Sequence, residues 1–253
     1  MKPRVAFFDF SSCEGCQLQI ANLEEELVDL IEIVDVVSFR EVMKEHSDEY
    51  DIAIVEGSIM RPMDEKRLKK IRSRCKVLVA FGACAAIGGV NKIRNQWSPE
   101  KVKKMVYGDS SEIEDNDYFD VFQTKAVDEV VNVDFYIRGC PPVKSEIKKV
   151  ITALSMGKKP DIPNYPVCVE CKKKENECLF EKDEFCLGPI TRAGCDAICP
   201  THGSACEGCR GLLKKPDIEC ISDVLKRYDL TYEELKRRAT IYNYGEKVGE
   251  KNE

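Results

Sequence analysis

The chain has 253 residues, 43% of them hydrophobic and 33% charged, and its 39 Lys and Arg against 45 Asp and Glu leave a net charge of −6. That length supports a true core in one large or two modest domains, and that apolar fraction excludes a disordered chain. The acidic balance argues against non-specific nucleic-acid binding, and no window reaches the roughly 18 to 20 unbroken apolar residues of a membrane helix, so neither nucleic acid nor membrane insertion is expected.

Met1-Lys2-Pro3-Arg4 runs straight into the first predicted strand, residues 5–10. That run is short, is interrupted by Asp9 and has no paired-arginine signal, so it does not read as an export leader and a cytoplasmic location is expected. A helix is predicted over 17–31, where Ile20, Leu23, Leu27 and Leu30 fall at helical spacing with Glu24, Glu25 and Glu26 outward. Further strands are predicted at 33–38, 52–55, 77–81 and 134–137, with helices at 65–75 and 143–156. Strand and helix in alternation, with continuously apolar strands, predict a doubly wound parallel α/β sheet. Residues 109–120 are acidic and polar and read as an exposed loop. Gly157, Pro160, Pro163 and Pro166 punctuate a linker, dividing the chain at 1–157 and 158–253. The second part has little apolar periodicity before two helices at 218–228 and 232–239, and then a charged tail. Ligation of metal can replace a missing apolar core there, because ligation energy becomes folding energy.

Fourteen cysteines stand out, against two histidines, His46 and His202. In a reducing compartment dense cysteine reads as metal ligation or redox chemistry, and soft thiolate sites select zinc, copper(I) or iron–sulfur clusters. Cys13 and Cys16 follow the first strand, Cys84 follows the strand at 77–81, and Cys140 follows the strand at 134–137. All four emerge at carboxyl ends of strands, the edge where open α/β sheets bind ligands. They supply the four thiolates a cubane needs. A lone C-x-x-C also suits a zinc half-site or a redox pair, and Cys₄ also suits zinc, although structural zinc usually takes two close pairs.

Beyond the linker come Cys168-x₂-Cys171, Cys178, Cys186, Cys195-x₃-Cys199-Pro200 and Cys206-x₂-Cys209, eight ligands for two further four-thiolate sites. Cys75 and Cys220 are left over and read as small buried hydrophobes. Glu56 ends a strand at the ligand edge and is a candidate partner contact or proton-path residue. Glu14 lies between two ligands as a candidate interface residue, and Arg138 is a candidate counter-charge beside Cys140.

In order and spacing, S-C-E-G-C-Q (12–17), G-A-C-A (82–85), G-C-P-P (139–142), C-L-G-P-I-T-R-A-G-C (186–195) and C-E-G-C-R-G (206–211) resemble the small, electron-transferring subunits of NiFe hydrogenases. Within that family the chain is most similar to the soluble cytosolic group, which includes archaeal sulfhydrogenases and the hydrogenases linked to heterodisulfide reductase. The resemblance implies a flavodoxin-like first domain, a smaller irregular iron–sulfur domain ending in helices, and three 4Fe–4S clusters. It assigns Cys13, Cys16, Cys84 and Cys140 to a proximal cluster, Cys168, Cys171, Cys178 and Cys186 to a distal one, and Cys195, Cys199, Cys206 and Cys209 to a medial one. The membrane-bound branch has histidine at the position of Cys168 and usually proline at that of Cys199, where its medial cluster is 3Fe–4S. Thiols at both positions here imply three cubanes. The resemblance further implies a hydrogenase large subunit as partner, docked on a large apolar face around Ile59, Met60, Met63, Ala85, Ala86 and Ile87. A second partner, carrying flavin or iron–sulfur, would exchange electrons with the clusters. No dihydrogen chemistry is expected of this chain itself, which lacks the paired C-x-x-C motifs of a nickel site. Two other readings remain: a cluster-carrying subunit of a complex related to quinone reductase, which leaves the eight cysteines from Cys168 to Cys209 without a role, and a zinc-stabilised interaction module.

Overall fold

A computed structural model describes residues 2–108 and 118–246. The predicted acidic loop and charged tail fall largely outside them. Five strands, β1 (Arg4–Asp9), β2 (Asp35–Ser38), β3 (Ile52–Glu56), β4 (Val77–Phe81) and β5 (Phe135–Ile137), form one parallel sheet in the order β2-β1-β3-β4-β5. This is the doubly wound flavodoxin-like order, whose direction of winding reverses between β1 and β3. Alternate residues of each strand face opposite layers, as a pleat requires. Val5, Phe7, Ile52, Ile54, Val79 and Phe81 pack into one apolar cluster, and Ala6, Ala53, Val55, Leu78 and Ala80 into the other. The inner strands β3 and β4 are almost wholly buried. Each large aliphatic or aromatic side chain buried there contributes about 1.5–3 kcal/mol.

Helices cover both faces. α1 (Gly15–Ala21), α2 (Glu25–Ile33) and α6 (Lys144–Ser155) close one cluster through Ile20, Leu30, Ile147, Val150 and Ile151. α3 (Pro62–Arg74) closes the other through Leu68 and Ile71, with Pro62 in its first turn and Arg72 and Arg74 in its last. The single helix predicted over 17–31 is two. Asn22 ends α1, and Glu24 takes φ 56° and ψ −122°, outside helical space. Leu23, at the break, is nonetheless buried in the same cluster, so the apolar spacing survives although the backbone does not. Two short elements beside the candidate ligand cysteines, α4 (Gly82–Ile87) and a 3₁₀ helix (Gly89–Gln96), and α5 (Pro99–Tyr107) beyond them, carry too little periodicity to have been foreseen.

The chain divides into two compact units, Met1–Pro160 and Asp161–Glu253. The second contains α7 (Val167–Lys173), α8 (Ile198–Thr201), α9 (Ile218–Arg227) and α10 (Tyr232–Asn243), without strands among its described residues. α9 and α10 start on side-chain caps, Asp217 accepting from the Cys220 N–H and Thr231 forming a reciprocal box with Glu234. Its apolar clusters are small, and one of them includes Cys171, Cys186, Cys195 and Cys206 beside Val167, Leu179 and Phe180. No helix among the described residues is long and apolar enough to cross a membrane.

Candidate metal centres

In the first unit the sheet brings four cysteines to its carboxyl edge. Cys13 precedes α1 and Cys16 lies in its first turn, Cys84 lies in the first turn of α4, and Cys140 follows β5. Two backbone approaches join these loops. The Ala83 N–H donates to the Gly139 carbonyl at 2.8 Å, tying the Cys84 turn to the Cys140 turn. Gly82 has φ +86°, and a Cβ there would run into the Cys16 Sγ, so the C-x-x-C turn and the Cys84 turn meet at a position suited to glycine.

Glu56, at the end of β3, is 1% exposed. Its carboxylate accepts the Cys16 N–H at 3.2 Å and the Gln17 N–H at 2.9 Å, two of the donors that a helix start leaves unpaired. Burial raises its pKa above the usual carboxylate range, against those two hydrogen bonds. This burial corrects the expectation of a partner contact at Glu56: the side chain anchors the C-x-x-C turn from beneath and reaches no surface. Asn91 adds a second anchor. Its Nδ2 donates to the Ser11 carbonyl (2.9 Å) and the Ser58 Oγ (3.0 Å) and lies 3.9 Å from the Cys84 Sγ. Its part in the site was invisible in the sequence, because it comes from a 3₁₀ helix no pattern announced.

Glu14 takes a left-handed conformation (φ 61°) at the start of α1, and its carboxylate pairs with Arg40 at 2.6 Å on the surface. Arg138 stacks over the Tyr136 ring with its guanidinium carbon 4.4 Å from the centroid. Of the apolar residues expected at a docking face, Ile59, Ala85 and Ala86 belong instead to the unit's own core, at 4% exposure or less, whereas Met60 and Ile87 are partly exposed and Met63 is exposed.

Burial is the largest cause raising the Cys16 and Cys84 thiols, Cys84 to about 12. After burial, Cys84 is pushed up by Cys140, Cys13 and Glu56, and Cys16 by Glu56, Cys84 and Cys140. The four sulfurs are thus electrostatic neighbours. Bare thiols so placed hold their protons, and a bound cationic centre would take the place of those protons. Cys13 and Cys140 are exposed at the rim, while Cys16 is buried. The donor set is all sulfur, a buried Nε2 of Gln17 next to Cys16 finds no acceptor in the protein, and the backbone leaves room where a Cβ would intrude. These features fit a thiolate-held cluster.

In the second unit, Cys168, Cys171, Cys178 and Cys186 line one cavity of about 600 Å³. Cys168 is pushed up to about 12 by burial first and then by Cys186, Cys171 and Cys178. The Cys186 Sγ accepts N–H groups from Gly188 (3.4 Å) and Cys206 (3.3 Å), and the Asn176 amide lies 3.6 Å from the Cys171 Sγ. Such donors favour the thiolate. Cys220, expected to be buried, is exposed and lines this same cavity, because α9 starts there with Cys220 in its first turn. Cys75 is half-buried against the core, as its sequence context implied.

The remaining cysteines are linked through their neighbours. Cys206 is raised by burial first and then, among the cysteines, by Cys186 and after it by Cys209, so it lies between the two groups. Cys195 is raised by burial, opposed by Arg210 and assisted by Glu170, and Cys199 is raised by burial and then by Glu207. Arg210 directly follows Cys209 and Glu207 directly follows Cys206, so the turn 206–210 faces the turn 195–199. Glu170, between two cysteines of α7, accepts the Gly194 N–H (2.8 Å) and the Ala197 N–H (3.2 Å) and clamps the Cys195 turn. Among the described residues no three His, Cys, Asp or Glu converge tightly enough to ligate one metal ion. A polynuclear cluster, with its metals at the corners of the core, holds its thiolates further apart than a single tetrahedral ion does.

Residues 13–154 match the family described as NADH ubiquinone oxidoreductase, 20 Kd subunit. The chain is 33% identical over 241 residues to the sulfhydrogenase 2 subunit delta of Pyrococcus furiosus, covering 94% of this chain and 98% of that protein. It is 32% identical over 237 residues to a vhu subunit of the F420-non-reducing hydrogenase of Methanococcus voltae, covering 83% of this chain and 82% of that one. In a crystal structure of an NAD⁺-reducing [NiFe]-hydrogenase in its H₂-reduced state, one chain superposes with a TM-score of 0.57 at 29% identity, covering 64% of this chain and 96% of that chain.

Proposed function

The chain belongs to the NADH ubiquinone oxidoreductase 20 Kd subunit family, and from that premise we propose that it is the electron-transferring small subunit of a NiFe hydrogenase complex. The observation that carries this reading is the convergence of Cys13, Cys16, Cys84 and Cys140, from three strand-exit loops, on the carboxyl edge of the sheet. Similarity to a sulfhydrogenase delta subunit across 94% of the chain supports it, since it extends past residue 154 to the eight further cysteines.

In this reading three 4Fe–4S clusters are held by Cys13, Cys16, Cys84 and Cys140, by Cys168, Cys171, Cys178 and Cys186, and by Cys195, Cys199, Cys206 and Cys209. When bound they supply one-electron carriage, chemistry that no side chain here performs. The protein's own work is positional and electrostatic. Glu56 fixes the peptide groups of Cys16 and Gln17, so the first two thiolates are presented in one geometry. Burial of Cys16, Cys186 and Cys206 keeps water from those sulfurs. Peptide donors on Cys186 stabilise its thiolate charge. The exposed rim at Cys13 and Cys140 is where a large subunit bearing the nickel–iron site would dock, and a flavin- or iron–sulfur-containing subunit would take the electrons onward in the cytoplasm.

Anaerobic purification of the complex followed by iron and sulfide analysis tests the proposal. Three cubanes require about twelve of each per chain and a broad brown absorption bleached by dithionite. Stoichiometric zinc in colourless protein would refute it in favour of an interaction module. About four irons per chain, with residues 168–209 unloaded, would favour the quinone-reductase-like alternative.

A further inference from the structure

Arg210 is 1% exposed and is the largest fully buried side chain among the described residues. Its Nε donates to the Ala193 carbonyl at 2.8 Å, two residues before Cys195, and its own backbone follows Cys209. It is therefore held between two cysteines of one proposed site. The carboxylates around that site push the other way: Glu170 is clamped into the Cys195 turn, and Glu207, beside Cys199, has one oxygen paired with Arg238. A guanidinium stays charged at any physiological pH and is costly to bury unless negative charge balances it. Four thiolates around iron carry negative charge, and the cluster carries one unit more after reduction.

Resting on the cluster reading above, we propose that Arg210 sets the reduction potential of the cluster held by Cys195, Cys199, Cys206 and Cys209, through a fixed positive charge buried between the Ala193 carbonyl and the Cys209 turn. Reduction adds one electron to the cluster and no atom is transferred, so a nearby cation stabilises the reduced form more than the oxidised one. A unit charge within about 10 Å, at the screening of a protein interior, shifts such an equilibrium by more than tenfold. Arginine suits the role better than lysine because its fork is fixed by a backbone acceptor while the charge remains spread over the plane.

The test uses the assembled, anaerobically purified complex carrying Arg210→Lys, Arg210→Gln or Arg210→Met, with iron analysis and an EPR-monitored redox titration. The expected result is full iron in Arg210→Lys with near-parental potentials. In Arg210→Gln and Arg210→Met, one iron–sulfur transition falls by at least tenfold in its reduction equilibrium, about 59 mV for a one-electron couple, while the others hold. Loss of that one cluster in Arg210→Gln and Arg210→Met but not in Arg210→Lys would equally support a charge requirement. Unmoved potentials in fully loaded Arg210→Gln and Arg210→Met would overturn the inference, and the same loss or shift in Arg210→Lys as in Arg210→Met would overturn it by assigning the residue to packing. Either failure leaves the cluster reading intact, because iron content and colour report on that separately.

Discussion

Gly82→Ala separates backbone strain from sulfur crowding at the first site. Two terms apply. With φ at +86°, any L side chain at 82 costs about 1–2 kcal/mol. The new Cβ would also press on the Cys16 Sγ, well inside contact distance, and overpacking of that kind costs about 1–3 kcal/mol. Together they predict a loss of about 2–5 kcal/mol, concentrated on one ligand. Cys16 is 8% exposed and its N–H is held by Glu56. Gly157→Ala is the matched control: φ is +65°, but nothing lies within 4 Å of its Cβ, so only the strain of about 1–2 kcal/mol remains. The assay is iron content per chain and the thermal melt of the anaerobic protein. Gly82→Ala is expected to lose about a third of the iron, one cubane in three, and to melt well below Gly157→Ala, which keeps all its iron. Equal iron and equal melting in the two variants would refute the argument that the Cys84 and Cys16 turns meet at this glycine.

Glu56→Gln is expected to strand one of the two peptide donors it now satisfies, costing about 1–3 kcal/mol, and to lower iron in the same fraction as Cys16→Ser; unchanged iron and melting would remove Glu56 from the site. Asp51, bonded to Lys76 (2.8 Å) and the Arg4 N–H (2.9 Å), has its pKa held below the usual value, chiefly by Lys76. Its stabilising effect is complete above its unfolded pKa of about 3.9 and is lost as pH falls through the lower folded value. Asp51→Asn should therefore cost up to about 1 kcal/mol at pH 7 and flatten the acid limb of an unfolding-versus-pH curve, whereas an unaltered limb would contradict this. Cys220→Ser and Cys75→Ser should each keep parental iron content, while Cys168→Ser, from the same cavity as Cys220, loses about a third. Iron loss in Cys220→Ser would make it a ligand and displace one of the four assigned there.

Local pattern carried the sheet. Short apolar runs of Val, Ile and Phe separated by helical stretches specify parallel strands covered on both faces, because a strand buried on both sides has no polar face to show. The five strands lie where that pattern put them, within two residues at either end. The same arithmetic failed at 22–24, since the spacing of Ile20, Leu23, Leu27 and Leu30 says which side chains go inward and nothing of whether the backbone between them stays helical. Cysteine spacing likewise announced metal chemistry and the strand exits that bear it. It did not announce Glu56 as a buried anchor, Asn91 beside Cys84, Glu170 clamping the Cys195 turn, or the exposure of Cys220 in a cysteine-lined cavity.

Composition and periodicity are properties of neighbours along the chain, and from them follow the α/β class, the two-part organisation and the types of ligand atom. Which carboxylate sits beneath a thiol, which cation is sealed against it and which apolar turn is spent on the core depend on residues tens of positions apart. Cys16 and Glu56 are separated by 40 residues and Cys16 and Gly82 by more, yet they share one site. Only packing of the sheet edges brings such groups within a few ångströms, where burial and Coulomb forces become strong enough to define a centre.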